Sequence, residues 1–423
     1  MTLKKYIFKN LWFQVVISLF IGLVVGLILG DDIGVNLDDD TLDSLTSFLS
    51  IPANIFLSII QMIIVPLIFA SIVVAITNLG AKDKLKTLGF GVGTYFVITT
   101  TIAILVAIFL ASIISPGSIL DLTSLQEYHD LSEEDLQIKD GFSLDDIPNA
   151  VTNIIPRNPI SSYLEGQMLS ILVFAIIIGL SMAVFPKESV KPLLDVLEVI
   201  QKITLHILLI SMKIVPFAVF GLIVGMVAKV GIGTMVGMGA YMGTVILGLG
   251  VMLLVYMLIL KFVAKKPISS TFSKFRNPQT VSFSTASSMA TMPVTLKTAE
   301  ENLKIDSRIS KFVIPLGTTV NMDGTALYQV IAVFFLAQLF AIELSMISIL
   351  AIIITSLLAS IGTPAVPGAG VIVLSTILIT VGIPPVGILL LISVDRILDM
   401  IRTMVNVTGD LTACCVFDRI TRG

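Results

Sequence analysis

Apolar stretches of about twenty residues recur along nearly the whole chain, and that pattern restricts it to a membrane fold more firmly than any motif does. Candidate spans lie at about 11–30, 48–77, 88–115, 166–186, 203–228, 235–263, 312–340 and 386–409. The 423 residues are 56% hydrophobic and 13% charged, with a mean hydropathy of +1.02. That leaves too little polar material to cover a water-soluble domain. A net charge of -3, with no basic cluster interleaved with aromatics, argues against a nucleic-acid partner. Cys414 and Cys415 are adjacent and lack metal-ligand spacing, so they read as small apolar residues rather than a disulfide framework. The opening Met-Thr-Leu-Lys-Lys runs straight into apolar residues without a small-residue cleavage site, and reads as the lead into a first span.

Orientation follows the positive charges. Lys4, Lys5 and Lys9 put the N-terminus in the cytoplasm, and the acidic 31–43 segment suits the outside. Lys82, Lys84 and Lys86 are inside, and the acidic 117–150 loop is outside. Lys187, Lys191 and Lys202 mark an inner loop, as do Lys261, Lys265, Lys266, Lys274 and Arg276. Arg419 and Arg422 put the C-terminus in the cytoplasm. Eight spans satisfy this alternation.

Two apolar segments do not fit as spans. Residues 282–295 are short, rich in Ser and Thr, and flanked on both sides by inside-type charge. Residues 346–383 are broken by Gly362, Pro364, Pro367, Gly368 and Gly370, and should enter and leave on the outer side. Each reads as a re-entrant hairpin, and the opposite entry of the two is the pattern of an inverted repeat. Irregular backbone at membrane depth must line a cavity or be buried in protein.

The last span carries five polar groups at helical spacing: Asp395, Asp399, Arg402, Asn406 and Asp410. Separations of four, three, four and four put them on one stripe. An ionised residue in a span costs about 2.5–3.5 kcal/mol on insertion scales, so such groups default to function. The planar guanidinium of Arg402 can hold a carboxylate with two hydrogen bonds, and Asp399, one turn earlier, can take an ammonium. A neutral amino acid would leave Arg402 unpaired in a low dielectric, which favours an acidic substrate.

Span seven contains Asn321-Met322-Asp323-Gly324-Thr325, a run unfriendly to helix, and a local break is expected there. A break exposes carbonyl oxygens, which suit a hard cation such as sodium. Asp323 and Asp410 add anionic oxygens, and no His or Cys stands among them to favour a transition metal. A purely structural alternative would pair one of these buried aspartates with a lysine, Lys213 in span five being a candidate. The hairpin tips, expected at Ser284–Pro293 and Ala359–Gly370, are rich in small and hydroxyl residues, and can meet at mid-bilayer and present hydroxyls and backbone N–H groups to an anion.

The serine hairpin, Asn-Met-Asp-Gly-Thr, Val-Pro-Gly-Ala-Gly, and Asp-Met-Ile-Arg-Thr-Met-Val-Asn-Val-Thr-Gly-Asp together resemble the glutamate/aspartate:cation symporter family. That family includes prokaryotic aspartate carriers and animal excitatory amino acid transporters. The resemblance covers essentially the whole chain and is densest from about 281 to 410. It implies an all-α membrane fold of eight spans and two re-entrant hairpins, assembled as a homotrimer in the plasma (inner) membrane, with lipid around it. It divides the chain into scaffold helices (1–80 and 151–230), a third helix moving with the transport domain (81–116), an acidic outer loop (117–150) and the main transport domain (231–423). The hairpins fall at about 278–298 and 346–383.

For the substrate, the resemblance implies that Arg402 and Thr325 hold the side-chain carboxylate, and Asp399 and Thr403 the amine. Ser288, Asn406 and the backbone near Val366 and Gly370 would hold the main-chain carboxylate. One sodium would sit among Gly317, Asn321, Asn406 and Asp410, and a second between Thr319 and the backbone at Ser360, Ile361 and Thr363. A third would use Thr99, Thr100, the Phe96 carbonyl, Asn321 and Asp323. Ala286 stands where aspartate carriers often have Arg, and Met289 replaces a serine. Arg396 instead follows Asp395, three residues from Asp399, and can compete for it. Asp410 and Met322 favour sodium over proton coupling. The implied activity is sodium-coupled symport of L-aspartate or L-glutamate by an elevator motion, with no organic cofactor. Proton-coupled dicarboxylate symport and an anion channel remain alternatives. An enzyme lacks support, because the only histidines, His129 and His206, have no argued path to Ser287 or Ser288.

Overall fold

Every described element is helical, as expected of a chain that must satisfy its own backbone inside lipid. The computed structural model describes residues 11–30, 39–79, 86–119, 155–156, 158–164, 168–211, 213–230, 233–363 and 365–422. Lys4, Lys5, Lys9, Lys82, Lys84, His129, most of the acidic 31–43 segment and residues 120–150 lie outside the described residues. In chain order the α-helices are α1 (Leu11–Leu29), α2 (Asp39–Leu79), α3 (Lys86–Ile114), α4 (Pro159–Leu164), α5 (Met168–Val184), α6 (Lys187–Ser211), α7 (Val215–Val230) and α8 (Gly233–Phe262). They continue as α9 (Ile268–Phe272), α10 (Arg276–Thr285), α11 (Ser288–Lys297), α12 (Ser307–Val320), α13 (Asp323–Leu339), α14 (Met346–Gly362), α15 (Ala369–Thr380) and α16 (Ile388–Arg422). Among the described residues three stretches are long and apolar enough to cross a membrane: Phe90–Ile119, Val236–Phe262 and Ser307–Leu339.

Three boundaries differ from those read in the sequence. The expected fifth span, 203–228, is two helices, and α6 already begins at Lys187. The segment carrying Lys187, Lys191 and Lys202 is therefore helix rather than loop. Pro216, which has no N–H to donate and restricts the residue before it, separates α7 from α6 at the Lys213–Ile214 turn. The second span starts nine residues early, where Asp39, Asp40 and Asp43 suit the positive end of a helix. The last helix runs on to Arg422, because Thr412 to Asp418 are covered by protein rather than lipid.

Helices α1, α2, α5, α6 and α7 pack mainly on one another, and α3, α8, α10, α12 and α13 gather around each other and α16. Small residues set the first group's spacing, as they do where no hydrophobic force separates helix from lipid. A Cβ on Gly26 would lie 2.7 Å from the Cβ of Val227. A Cβ on Gly221 would lie 1.9 Å from the Leu49 carbonyl oxygen, so α7 and α2 touch backbone to backbone there. Gly221→Ala must push them apart. We expect a cost of about 1–3 kcal/mol, seen as a lower melting temperature of the purified protein; an unchanged melting temperature would contradict this packing.

Both irregular segments fold back on themselves as paired short helices. In the first, α10 packs on α11 through a tip at Ala286, which is left-handed (φ 49°, ψ 37°), and Ser287, which caps α11 by accepting from the Ala290 N–H. In the second, α14 and α15 flank a tip that turns at Gly368 (φ 81°), a conformation glycine adopts without cost. The expected break in span seven is present: Asn321 and Met322 leave helical geometry between α12 and α13. Beyond the first hairpin, Ser310 and Ser307 donate to Glu300 at 2.8 and 3.0 Å, and these bonds hold its carboxyl below the usual value. Asp418, near the end of α16, accepts from the Asp306 N–H at 3.2 Å and lies 3.7 Å from Lys266 Nζ. Cys414 and Cys415 are free and buried, as apolar residues would be.

Candidate functional site

The polar stripe of α16 faces inward along its whole length. Asp395, Asp399, Arg402, Asn406 and Asp410 are all buried, with Arg402 at 0% exposure. The guanidinium of Arg402 donates to Asp395 Oδ1 at 2.9 Å and to Asp399 Oδ1 at 2.8 Å, and stacks 3.8 Å from the Tyr328 ring centroid. A cation so far from water needs such company: two carboxylates and a π-face replace its hydration. Gly370 lies directly against it, since a Cβ there would sit 3.0 Å from Nη2. Gln329 fixes that stretch of α15 by donating to the Gly370 carbonyl at 3.1 Å.

The two hairpin tips meet, as the sequence led us to expect. Ser287 Oγ donates to the Ala365 carbonyl at 2.8 Å. The second tip also reaches α16, where the Gly368 N–H donates to Asp399 Oδ2 at 3.0 Å. A small cavity opens where tips, α13 and α16 converge. Of the expected substrate residues, Ser288, Thr325, Val366, Gly370, Asp399, Thr403 and Asn406 all line it, joined by Ala286, Met322, Thr363 and Ala365. Arg402 does not line it; the guanidinium is held behind Gly370 and Asp399 by its two carboxylates. Around the cavity Asn406 is fixed by accepting from the Gly324 N–H at 2.8 Å and donating to Thr325 Oγ at 3.2 Å.

Deeper along the stripe lies a second polar centre. Asn321 donates to Asp410 Oδ1 at 2.9 Å and to the Asn406 carbonyl at 3.2 Å, while its own Oδ1 is buried with no hydrogen-bond partner. Gly317 admits the Asp410 carboxylate: a Cβ would lie 2.3 Å from Oδ1. Asp323 is fully buried and accepts from Thr100 at 2.6 Å and Tyr256 at 2.7 Å. Thr99 donates to the Phe96 carbonyl at 3.2 Å on the same turn of α3. Among the described residues no Lys, Arg or His forms an ion pair with Asp323 or Asp410. Lys213 is exposed in the turn between α6 and α7 while Asp323 and Asp410 are buried, so the structural alternative that paired a buried aspartate with Lys213 is wrong. The remaining expected cation ligands divide between α12, with Thr319 donating to the Leu316 carbonyl, and the end of α14, with Ser360, Ile361 and Thr363; the two helices pack together. His206 is exposed on α6, whereas Ser287 and Ser288 are buried.

The family profile described as the sodium:dicarboxylate symporter family matches residues 11–420. The chain belongs to the sodium:dicarboxylate symporter family. It is therefore a membrane transporter and not an enzyme. It is 32% identical over 376 residues to a proton/sodium-glutamate symport protein of Bacillus subtilis, covering 89% of this chain and 87% of that one. It is 31% identical to the proton/glutamate-aspartate symporter of Escherichia coli, over 89% and 86% of the two chains. An excitatory amino acid transporter of Caenorhabditis elegans is 30% identical, over 86% and 79%. Within this symporter the aromatic partners of Arg402 and Asp323, Tyr328 and Tyr256, were the residues least visible in sequence. Tyr328 lies one helical turn after Thr325 and so shares its face, but Tyr256 comes from α8, 67 residues away from its partner.

Proposed function

We propose that the chain is a sodium-coupled symporter of acidic amino acids, L-aspartate or L-glutamate, working by an elevator motion of a transport domain within a homotrimer of the plasma membrane. One observation carries the substrate reading: a buried arginine, paired with two carboxylates, beside a polar cavity closed by two hairpin tips. The names of the three relatives, all glutamate, glutamate-aspartate or excitatory amino acid carriers, support it.

In this reading an incoming side-chain carboxylate draws Arg402 from Asp395 and Asp399, with Thr325 adding a hydroxyl. The amine takes the place Arg402 leaves on Asp399, with Thr403 beside it. Ser288, Asn406 and the backbone at Val366 and Gly370 receive the main-chain carboxylate. Because the Gly368 N–H already bonds Asp399, the second tip and the amine site respond to each other, which gives a gate its sensitivity to substrate.

Two buried carboxylates, Asp323 and Asp410, and an unpartnered amide oxygen on Asn321 are the donor set of a hard cation. We assign co-transported sodium to the groups at Gly317, Asn321, Asn406 and Asp410; at Thr319, Ser360, Ile361 and Thr363; and at Phe96, Thr99, Thr100, Asn321 and Asp323. Protons are the rival, since buried carboxylates can also be neutralised by protonation and two of these three relatives carry "proton" in their names.

Calorimetric titration of aspartate, glutamate and succinate into purified protein, with and without sodium, tests the reading. Aspartate or glutamate should bind only with sodium present. Equal heats in sodium-free buffer would transfer the coupling to protons, and no acidic amino acid binding at all would end the substrate reading.

A further inference from the structure

Asp399 is held on both oxygens. Oδ1 accepts from Arg402 at 2.8 Å, while Oδ2 accepts from Gly368 N–H at 3.0 Å and faces Arg396 Nη1 at 3.7 Å. The Arg396 side chain is only 12% exposed, and its Nε and Nη1 are buried without hydrogen-bond partners. Two aspartates and two arginines on about two turns of α16 thus make a neutral quartet: Arg402 binds both aspartates through Nη1 and Nη2 and leaves only Nε without a partner, while Arg396 holds two unused donors, Nε and Nη1, beside the amine site.

We propose that Arg396 is a specificity-determining residue that substitutes for a substrate's ammonium group on Asp399, so that the pocket also accepts four-carbon dicarboxylates lacking an amine. The inference rests on the substrate reading above, in which Arg402 leaves Asp399 when it takes a substrate carboxylate. An amino acid then supplies its own cation to Asp399. A dicarboxylate supplies none, and a buried carboxylate left uncompensated is strongly unfavourable. Arg396 is the remaining cation within reach, and a shift of under about 1 Å brings Nη1 from 3.7 Å to ordinary charge-assisted hydrogen-bond length. With an amino acid bound, the same guanidinium competes with the ammonium, so Arg396 narrows the gap between the two ligand classes from both sides.

The experiment compares succinate with L-aspartate by calorimetry on the intact protein in sodium, for wild type, Arg396→Gln and Arg396→Lys. Wild type should bind succinate within about a hundredfold of aspartate. Arg396→Gln should raise the ratio of succinate to aspartate dissociation constants by about tenfold or more, and Arg396→Lys should restore part of it. Wild type that binds aspartate but not succinate overturns the proposal without any variant. So does a ratio that stays constant in Arg396→Gln, which would reduce Arg396 to a helix-packing group. Failure of the wild type to bind aspartate is a different result: it removes the substrate reading on which this inference stands.

Discussion

Arg402→Ala should abolish binding of acidic amino acids, raising the dissociation constant of aspartate by more than about a hundredfold. Three separate losses add up. The substrate's side-chain carboxylate loses a charge-assisted, potentially bidentate partner, and that alone is worth several hydrogen bonds to neutral groups. Asp395 and Asp399, each within 2.9 Å of the guanidinium, become like charges in a dry interior. Breaking one side of a buried pair typically costs about 3–5 kcal/mol, on the order of a hundredfold or more in affinity when it falls on the bound state. The face of Tyr328 also loses its cation. Arg402→Lys should fail as well, because a point ammonium cannot reach Asp395, Asp399 and an incoming carboxylate with a planar fork's geometry. The measurement is calorimetry with aspartate in sodium, alongside a melting curve with and without sodium to show that the cation centre survives. Undiminished aspartate affinity in a folded variant would remove the argument for an acidic substrate.

Much of this site was legible because it lies on one helix. Groups at 395, 399, 402, 406 and 410 could only share a face, and α16 buries that face throughout. The tips were legible for a different reason: Ser, Gly and Pro in short apolar runs deny a full span, and the chain must turn where Ala286 and Gly368 stand. What sequence did not reveal was pairing across elements. Nothing local in α8 points Tyr256 at Asp323, and nothing in α15 shows that Gln329 would bind the Gly370 carbonyl. The extent of helix beyond 409 was likewise hidden, because hydropathy registers lipid contact while Thr412 and Asp418 are covered by other helices. The fit of Gly317 to Asp410 belongs to the same class: the sequence gives a small residue, and only the neighbour's position explains why a methyl group cannot replace its hydrogen.

That fit makes Asp410 the place where coupling can be tested most sharply. Its Oδ1 is wedged against the α carbon of Gly317 and accepts from Asn321 Nδ2, whose amide oxygen points elsewhere with no partner of its own. Asp410→Asn keeps the shape and removes the charge. A hard cation bound by carboxylate and amide oxygens depends on that charge for much of its desolvation. The sodium concentration for half-maximal aspartate uptake into proteoliposomes should therefore rise by about ten- to a hundredfold, and aspartate affinity measured at low sodium should fall with it, since the two bindings are reciprocally linked. At saturating sodium the aspartate affinity should largely return, because Arg402 and Asp399 are untouched. A variant whose uptake keeps the wild-type sodium dependence would take Asp410 out of the cation site. A wild type whose uptake ignores sodium but follows an imposed proton gradient would instead make Asp410 and Asp323 proton carriers, and the same substitution should then render uptake insensitive to that gradient.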